Sequence, residues 1–237
     1  MSNNIEKELI LFPLPIGELS SAQYITEYHL NRIKSIKFWV AENARTLRRF
    51  ISGLKIGIHI DELDIFEHGI RSDIRDLHQF LSEIQNESII GLCSEAGIPC
   101  VADPGNETVK WAHKNNRRIE PLIGPNSIAM SIEASGLNGQ NYIFHGYLPV
   151  KEQVFSRLVK SWSQGPYNRY THVFIEVPYR SDRMLRSLLS ELPQQCQLSI
   201  SIALHTENQS ITTKTVAQWK KTAIEIGKTP CVFCLLF

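Results

Sequence analysis

Residues Ser88 to Gly105 read Ser-Ile-Ile-Gly-Leu-Cys-Ser-Glu-Ala-Gly-Ile-Pro-Cys-Val-Ala-Asp-Pro-Gly, a short apolar run that stops in two turns rich in glycine and proline. An apolar run of this length bounded by breakers has the form of a buried strand. The turns after it, Ser94–Pro99 and Ala102–Gly105, put glycine where the backbone must bend sharply or come close to a ligand. In an open α/β sheet such turns gather at the carboxyl ends of the strands, the edge at which ligands bind.

Outward from this stretch, apolar runs alternate with helix-period segments along the whole chain, the pattern of an α/β protein. The predicted strands are Leu9–Phe12, Ile36–Ala41, Ile56–Ile60, Ser88–Cys93, Arg118–Ile123, Tyr142–Gly146, His172–Val177, Gln197–Leu204 and Cys231–Leu236. Between them Ile74, Leu77, Leu81 and Ile84 recur at helical spacing, with Ser72 as N-cap and Asp73 and Asp76 in the first turn. Leu185, Leu188, Leu189 and Leu192 form a second core stripe before Pro193. No flexible linker or repeat interrupts the pattern. The best boundary is Ile123-Gly124-Pro125, near mid-chain and just before a helix opening at Asn126 and Ser127. It implies two α/β lobes, 1–123 and 124–237, with a ligand expected in the cleft where they meet.

The 237 residues fit one large or two modest domains, and 43% hydrophobic with 21% charged residues is ordinary globular composition. Lysine plus arginine (25) nearly balance aspartate plus glutamate (24), which excludes binding to nucleic acid through overall charge. No apolar run reaches the roughly 18 residues of a membrane span. The opening residues, with Glu6, Lys7 and Glu8, lack a signal-peptide core, so the expected location is cytoplasmic. The five cysteines sit mostly in apolar runs, as reduced buried thiols do. Cys231 and Cys234 form a C-x-x-C pair, but on a strand residues three apart point to opposite faces, and no metal site is expected.

Walker A, H-E-x-x-H, G-x-S-x-G and G-x-G-x-x-G are all missing, which disfavours hydrolase and ordinary dinucleotide-binding readings. Glycine and proline turns remain at four strand ends: Pro13-Leu14-Pro15-Ile16-Gly17, Ser94–Pro99, Ala102–Gly105 and Gly124-Pro125-Asn126-Ser127. In order and spacing they resemble the tetrapyrrole methylase superfamily, most nearly its branch that methylates the 2'-hydroxyl of a cytidine in small-subunit ribosomal RNA. That branch opens with Pro-Thr-Pro-Ile-Gly-Asn-Leu, similar to Pro13–Leu19. Its Ala-Glu-Asp-Thr-Arg is similar to Ala41-Glu42-Asn43-Ala44-Arg45, and its Ser-Asp-Ala-Gly-Thr-Pro with a following Asp-Pro-Gly to Ser94–Pro99 and Asp103-Pro104-Gly105. Pro-Gly-Pro-Ser-Ala resembles Ile123–Ile128, Glu-Gly-Phe-Leu-Pro resembles His145–Pro149, and Tyr-Glu-Ser-Pro-His-Arg resembles Ile175–Arg180.

The resemblance implies a homodimeric two-lobe methyltransferase that uses S-adenosylmethionine. Pro15, Ser94, Glu95, Ala96, Gly97, Ile98, Asp103, Pro104 and Gly105 would line the cofactor from the first lobe. Asn126, Ser127 and Ile128 would do so from the connection, and Pro230 and Cys231 from the last strand. Methyl transfer asks mainly for an acceptor held in line in a water-poor site, and a hydroxyl acceptor gains from a base. Glu42, Glu95 and Asp103 are the base candidates, with His145 and Glu176 near other matched turns. Arg45, Arg48 and Arg49 on one helix, with Arg180 and Arg183 after a matched turn, are the candidate RNA contacts.

Departures fall at other polar positions. Asn43 and Ala44 replace Asp and Thr, Thr206 and Gln209 replace residues of a Leu-Thr-Lys segment and its following glutamate, and the chain closes on its last strand without the appended helical segment of many ribosomal relatives. These leave open a tetrapyrrole-like or other small acceptor, a non-catalytic S-adenosylmethionine-binding protein, and an unrelated α/β nucleotide-binding module.

Overall fold

The structure, a computed structural model, describes residues 7–17, 24–69, 72–84 and 88–237. Glu6, Glu18 and Leu19, on which parts of the sequence reading fall, lie outside the described residues. The chain divides into two compact units: among the described residues, the first holds 7–16 and 24–125 and the second holds Gly17 and 126–237. No helix among the described residues is long and apolar enough to cross a membrane.

In the first unit β1 (Glu8–Leu11), α1 (Glu27–Lys34), β2 (Phe38–Ala41), α2 (Ala44–Leu54), β3 (Asp64–Glu67), α3 (Ile74–Glu83), β4 (Ile89–Cys93), α4 (Asn106–Lys114) and β5 (Arg118–Pro121) alternate in sequence. All five strands run parallel, in the order β3-β2-β4-β1-β5. A parallel sheet needs cover on both faces, and neighbouring residues of one strand supply it in turn. Ile10 joins Phe12, Trp39, Leu47 and Ile51 on one side. Leu9 joins Val40, Leu77, Leu81 and Ile90 on the other.

The expected strand at Ile56–Ile60 is not one. Ile56, Ile58 and Ile60 pack part-buried on the cluster that holds Leu47 and Ile51 without joining the sheet, and the chain then makes a 3-10 turn at Ile60–Glu62. β3 follows instead, pairing Asp64–Glu67 with Phe38–Ala41 at the sheet edge. Its central Ile65 and Phe66 are too short an apolar run, between two acids, to stand out by periodicity. α3 is capped by Asp73, whose carboxylate accepts the Arg75 amide at 2.9 Å, and not by Ser72, whose hydroxyl accepts the Gly69 amide at 2.9 Å.

The second unit contains α5 (Ser127–Ser135), β6 (Tyr142–Tyr147), α6 (Glu152–Gln164), β7 (Thr171–Glu176), α7 (Ser181–Glu191), β8 (Gln197–Ile202), β9 (Ser210–Thr215), α8 (Val216–Trp219) and β10 (Cys231–Leu236). Its sheet runs β6-β7-β10-β8-β9, with β6 and β7 parallel and the other neighbours antiparallel. β9 has no counterpart among the predicted strands, because Ser-Ile-Thr-Thr-Lys-Thr is polar; its β-branched residues suit an edge strand with one neighbour. Phe155, Trp162, Leu185 and Leu188 of α6 and α7 cover one face with Phe174 and Phe233. Ile128 and Ile132 of α5 cover the other with Val173 and Val232. Cys231 belongs to the first cluster and Cys234 to the second, so the two thiols do face opposite sides.

Candidate cofactor site

β1 and β4 lie side by side, so the turns that leave them start together. The Phe12 amide donates to the Leu92 carbonyl at 2.8 Å, and Leu14 and Gly97 then exchange amide-to-carbonyl bonds at 2.9 Å each. The 13–17 and 94–99 turns are thereby locked to one another. Gly97 is buried with φ +73°, and a Cβ there would lie 3.2 Å from Ile16 and 3.3 Å from the Pro125 carbonyl. Gly124 closes the arrangement: a Cβ on it would sit 2.1 Å from Pro13, so only glycine lets these turns touch. His29 fixes the same segment, being buried at the start of α1 with Nε2 2.8 Å from the Ile123 carbonyl.

β2 adds an acidic group to this edge. The Glu42 carboxylate accepts the Glu95 amide at 2.9 Å, and the Glu42 amide donates to the Cys93 carbonyl. Asn43 caps α2 by accepting the Thr46 amide at 3.0 Å, while its Nδ2 reaches the Glu95 carboxylate at 3.4 Å. Aspartate could do the first but not the second, so Asn43 relieves charge where a relative's aspartate would add it. Ala44, at the first helical position, donates its amide to Glu67 at 2.9 Å.

Asp103 stands in the turn before α4, whose N-cap is Gly105. Burial, with the Glu42 carboxylate second and Glu95 after it, raises its pKa to about 6 against the opposing Ser94 hydroxyl. His68, which no motif marked, is pushed below the usual imidazole range by burial, against the opposing Glu107 carboxylate. Pro15, Ser94, Glu95, Ala96, Gly97, Ile98, Asp103, Pro104, Gly105 and Glu42 thus belong to one unit and one sheet edge. Arg45, Arg48 and Arg49 project from α2 of the same unit, all exposed.

Asn126, Ser127, Ile128, Pro230 and Cys231 belong to the second unit. Asn126 caps α5 by accepting the Ile128 and Ala129 amides. Ile128 is buried against Val232 of β10. The Pro230 carbonyl accepts the Ala203 amide, and the Cys231 thiol turns into the core 3.3 Å from Ser181 Oγ, with burial lifting its pKa to about 11. Thr206 and Gln209 hold the neighbouring loop: the Thr206 hydroxyl donates to the Ala203 carbonyl at 2.8 Å, and the Gln209 side chain accepts the amide of left-handed His205 at 2.9 Å. Gly17 fits beneath this loop, where a Cβ would come within 2.4 Å of the His205 carbonyl.

A cavity of about 130 Å³ opens elsewhere in the second unit, with Arg180 and Arg183 among its lining residues. Arg180 pairs with fully buried Glu176 at 2.7 Å. Glu176 therefore holds an arginine rather than standing free as a base. His145 is equally committed: Nε2 lies 2.9 Å from Nδ1 of buried His172, and both rings stack on Trp162.

No protein-family model matches the chain. Its backbone is similar to the crystal structure of the methyltransferase CobJ (TM-score 0.64, 13% identity, 98% of this chain and 94% of that one). It is also similar to uroporphyrin-III-C-methyltransferase from Thermus thermophilus (TM-score 0.53, 12% identity, 97% and 92%). The chain thus shares the fold of these two methyltransferases. In sequence, the chain is similar to proteins named ribosomal RNA small subunit methyltransferase I. That of Streptococcus pyogenes serotype M3 is 30% identical over 182 residues, covering 77% of this chain and 60% of the relative. Those of Escherichia coli O157:H7 (27% identity, 81% and 63%) and Campylobacter fetus (25%, 78% and 66%) are comparable. The chain thus spans 60 to 66% of the length of these relatives.

Proposed function

We propose that the chain is an S-adenosylmethionine-dependent methyltransferase acting on RNA, in a reaction of the ribosomal 2'-O-methylation type, as a cytoplasmic homodimer. The observation that carries this reading is the meeting of the 13–17, 94–99 and 124–125 turns beside Glu42, Glu95 and Asp103. The residues fit the cofactor. Its sulfonium and ammonium are cationic and its ribose donates hydroxyl hydrogens, so an edge of carboxylates complements it. Buried Gly97, where a Cβ would crowd Ile16 and the Pro125 carbonyl, lets these turns close together to form the edge.

Pro15, Ser94–Ile98 and Asp103–Gly105 would hold the cofactor, and the family resemblance assigns further contacts to Asn126, Ser127, Ile128, Pro230 and Cys231. Bound there, it supplies an electrophilic methyl group. The chain must then orient an acceptor hydroxyl, keep water out and accept the hydroxyl proton. Asp103 suits that last task, since a carboxyl with a pKa of about 6 is ionised at neutral pH yet more basic than an ordinary one. Glu42 serves instead to fix the Glu95 turn through its amide.

Calorimetry with S-adenosylmethionine and with its demethylated product tests the cofactor half, with micromolar binding expected; no heat from either ends the proposal. Transfer of labelled methyl groups into small-subunit ribosomal RNA, located by mass spectrometry, tests the acceptor half. Sedimentation showing only monomer at tens of micromolar would remove the dimer.

A further inference from the structure

The motif that reads Tyr-Glu-Ser-Pro-His-Arg in relatives is Ile175-Glu176-Val177-Pro178-Tyr179-Arg180 here, with tyrosine in place of its histidine. We propose that Tyr179 is a stacking platform for one unpaired RNA base and that Arg183 contacts the adjoining phosphate. This rests on the RNA half of the proposed function and names where the second unit would touch the RNA.

Tyr179 is 76% exposed, so its ring is open to a planar group from solvent. The turn that carries it is rigid. Pro178 opens a 3-10 turn ending at Arg180, the Arg180 amide donates to the Val177 carbonyl at 2.9 Å, and the Val177 amide donates to Glu176 at 2.8 Å. The ion pair from Arg180 to buried Glu176 ties the turn to β7. A main chain held this way presents the ring at a fixed place, so little backbone freedom is lost when a base stacks on it.

Arg180 and Arg183 are not equivalent. Arg180 has its charge matched by Glu176, whereas Arg183 is exposed, lines the adjoining cavity and has no ion-pair partner among the described residues. Arg180 is thus a positioning residue, and Arg183 is the cation available to a phosphate. The cavity lining is mixed, with Val150, Phe155 and Met184 beside the charged residues, as a polar aromatic heterocycle requires. Glu152, also lining it, is when ionised an acceptor only, suited to the exocyclic amine of cytosine.

The test uses the whole chain and a labelled single-stranded cytidine oligonucleotide, with affinity measured across a salt series. Tyr179→Ala is expected to weaken binding about tenfold or more, and Tyr179→Phe to stay within about twofold because the ring face is kept. Arg183→Gln is expected to weaken binding and lower the salt slope by about one. Photo-crosslinking is expected to leave an adduct on the peptide containing Tyr179. Wild-type affinity in Tyr179→Ala, with the adduct elsewhere, overturns this inference and leaves the RNA reading standing. Failure of the wild-type chain to bind any RNA overturns both.

Discussion

The carboxylate of Glu42, at the end of β2, accepts the main-chain amide of Glu95, in the turn after β4, at 2.9 Å. Two matched turns are thus joined by a charge-assisted hydrogen bond, and the same carboxylate raises the pKa of Asp103. A residue that looks like a base from its motif acts as a clamp and as a source of field.

Glu42→Ala should therefore do two things. Loss of the bond should destabilise the first unit by about 1–2 kcal/mol, read by chemical denaturation. The Asp103 pKa should fall from about 6 toward an ordinary carboxylate value, read by carbon-detected NMR titration. An Asp103 pKa unmoved by the substitution would show that burial and Glu95 set it without Glu42.

Gly97→Val should abolish cofactor binding. The position has φ +73° with contacts at 3.2 and 3.3 Å, so a β-branched side chain is both strained and crowded. A strain of about 1–3 kcal/mol should lower the melting temperature without preventing folding. A folded Gly97→Val chain with unchanged affinity by calorimetry would move the cofactor away from this turn.

Acid should weaken the second unit through His145. Burial, reinforced by the neighbouring His172, lowers its pKa to about 4. Between that value and the unfolded one of about 6.5 the unfolded chain binds more protons, so stability falls as pH drops through this window. Asp103 has the opposite sign in its own window: its raised folded pKa gives stability that is lost as pH rises from about 4 toward 6. Melting curves of His145→Gln should show a smaller loss between pH 6.5 and 4 than wild type does.

Neutralising Arg45, Arg48 and Arg49 together should weaken RNA binding and flatten its salt dependence by about one slope unit per contacting arginine. Cofactor affinity should not change, since all three are exposed on α2. A small acceptor would leave turnover insensitive to salt on this scale.

Methylation of the cytidine used by ribosomal relatives should be weak, with another site preferred, because four polar positions differ. Asn43→Asp tests one of them directly. The helix cap should survive, since both residues cap well, but the contact to Glu95 would become a repulsion and raise the Asp103 pKa further. Efficient, site-specific methylation of that cytidine by the unaltered chain would show these departures to be neutral.

Much of this was legible in the sequence for a local reason. Strand β4 and its turns announce themselves because an apolar run between glycines and prolines has few other conformations. The helices carrying Leu77 and Leu81 or Leu185 and Leu188 follow from spacing alone. β3 and β9 stayed hidden because edge strands need only one partner, and Ile65–Phe66 and the threonines of β9 take their conformation from β2 and β8 rather than from their own pattern. Partnership is likewise what only the tertiary structure decides at the site. The sequence by itself nominated Glu42, Glu95 and Asp103 as bases, with His145 and Glu176 beside other matched turns. Folding gave Glu42 an amide, Glu176 an arginine and His145 a second imidazole, and left Asp103 half-buried among like charges. A side chain's chemistry depends on what its neighbours donate and how much water remains, and those neighbours lie tens of residues away along the chain.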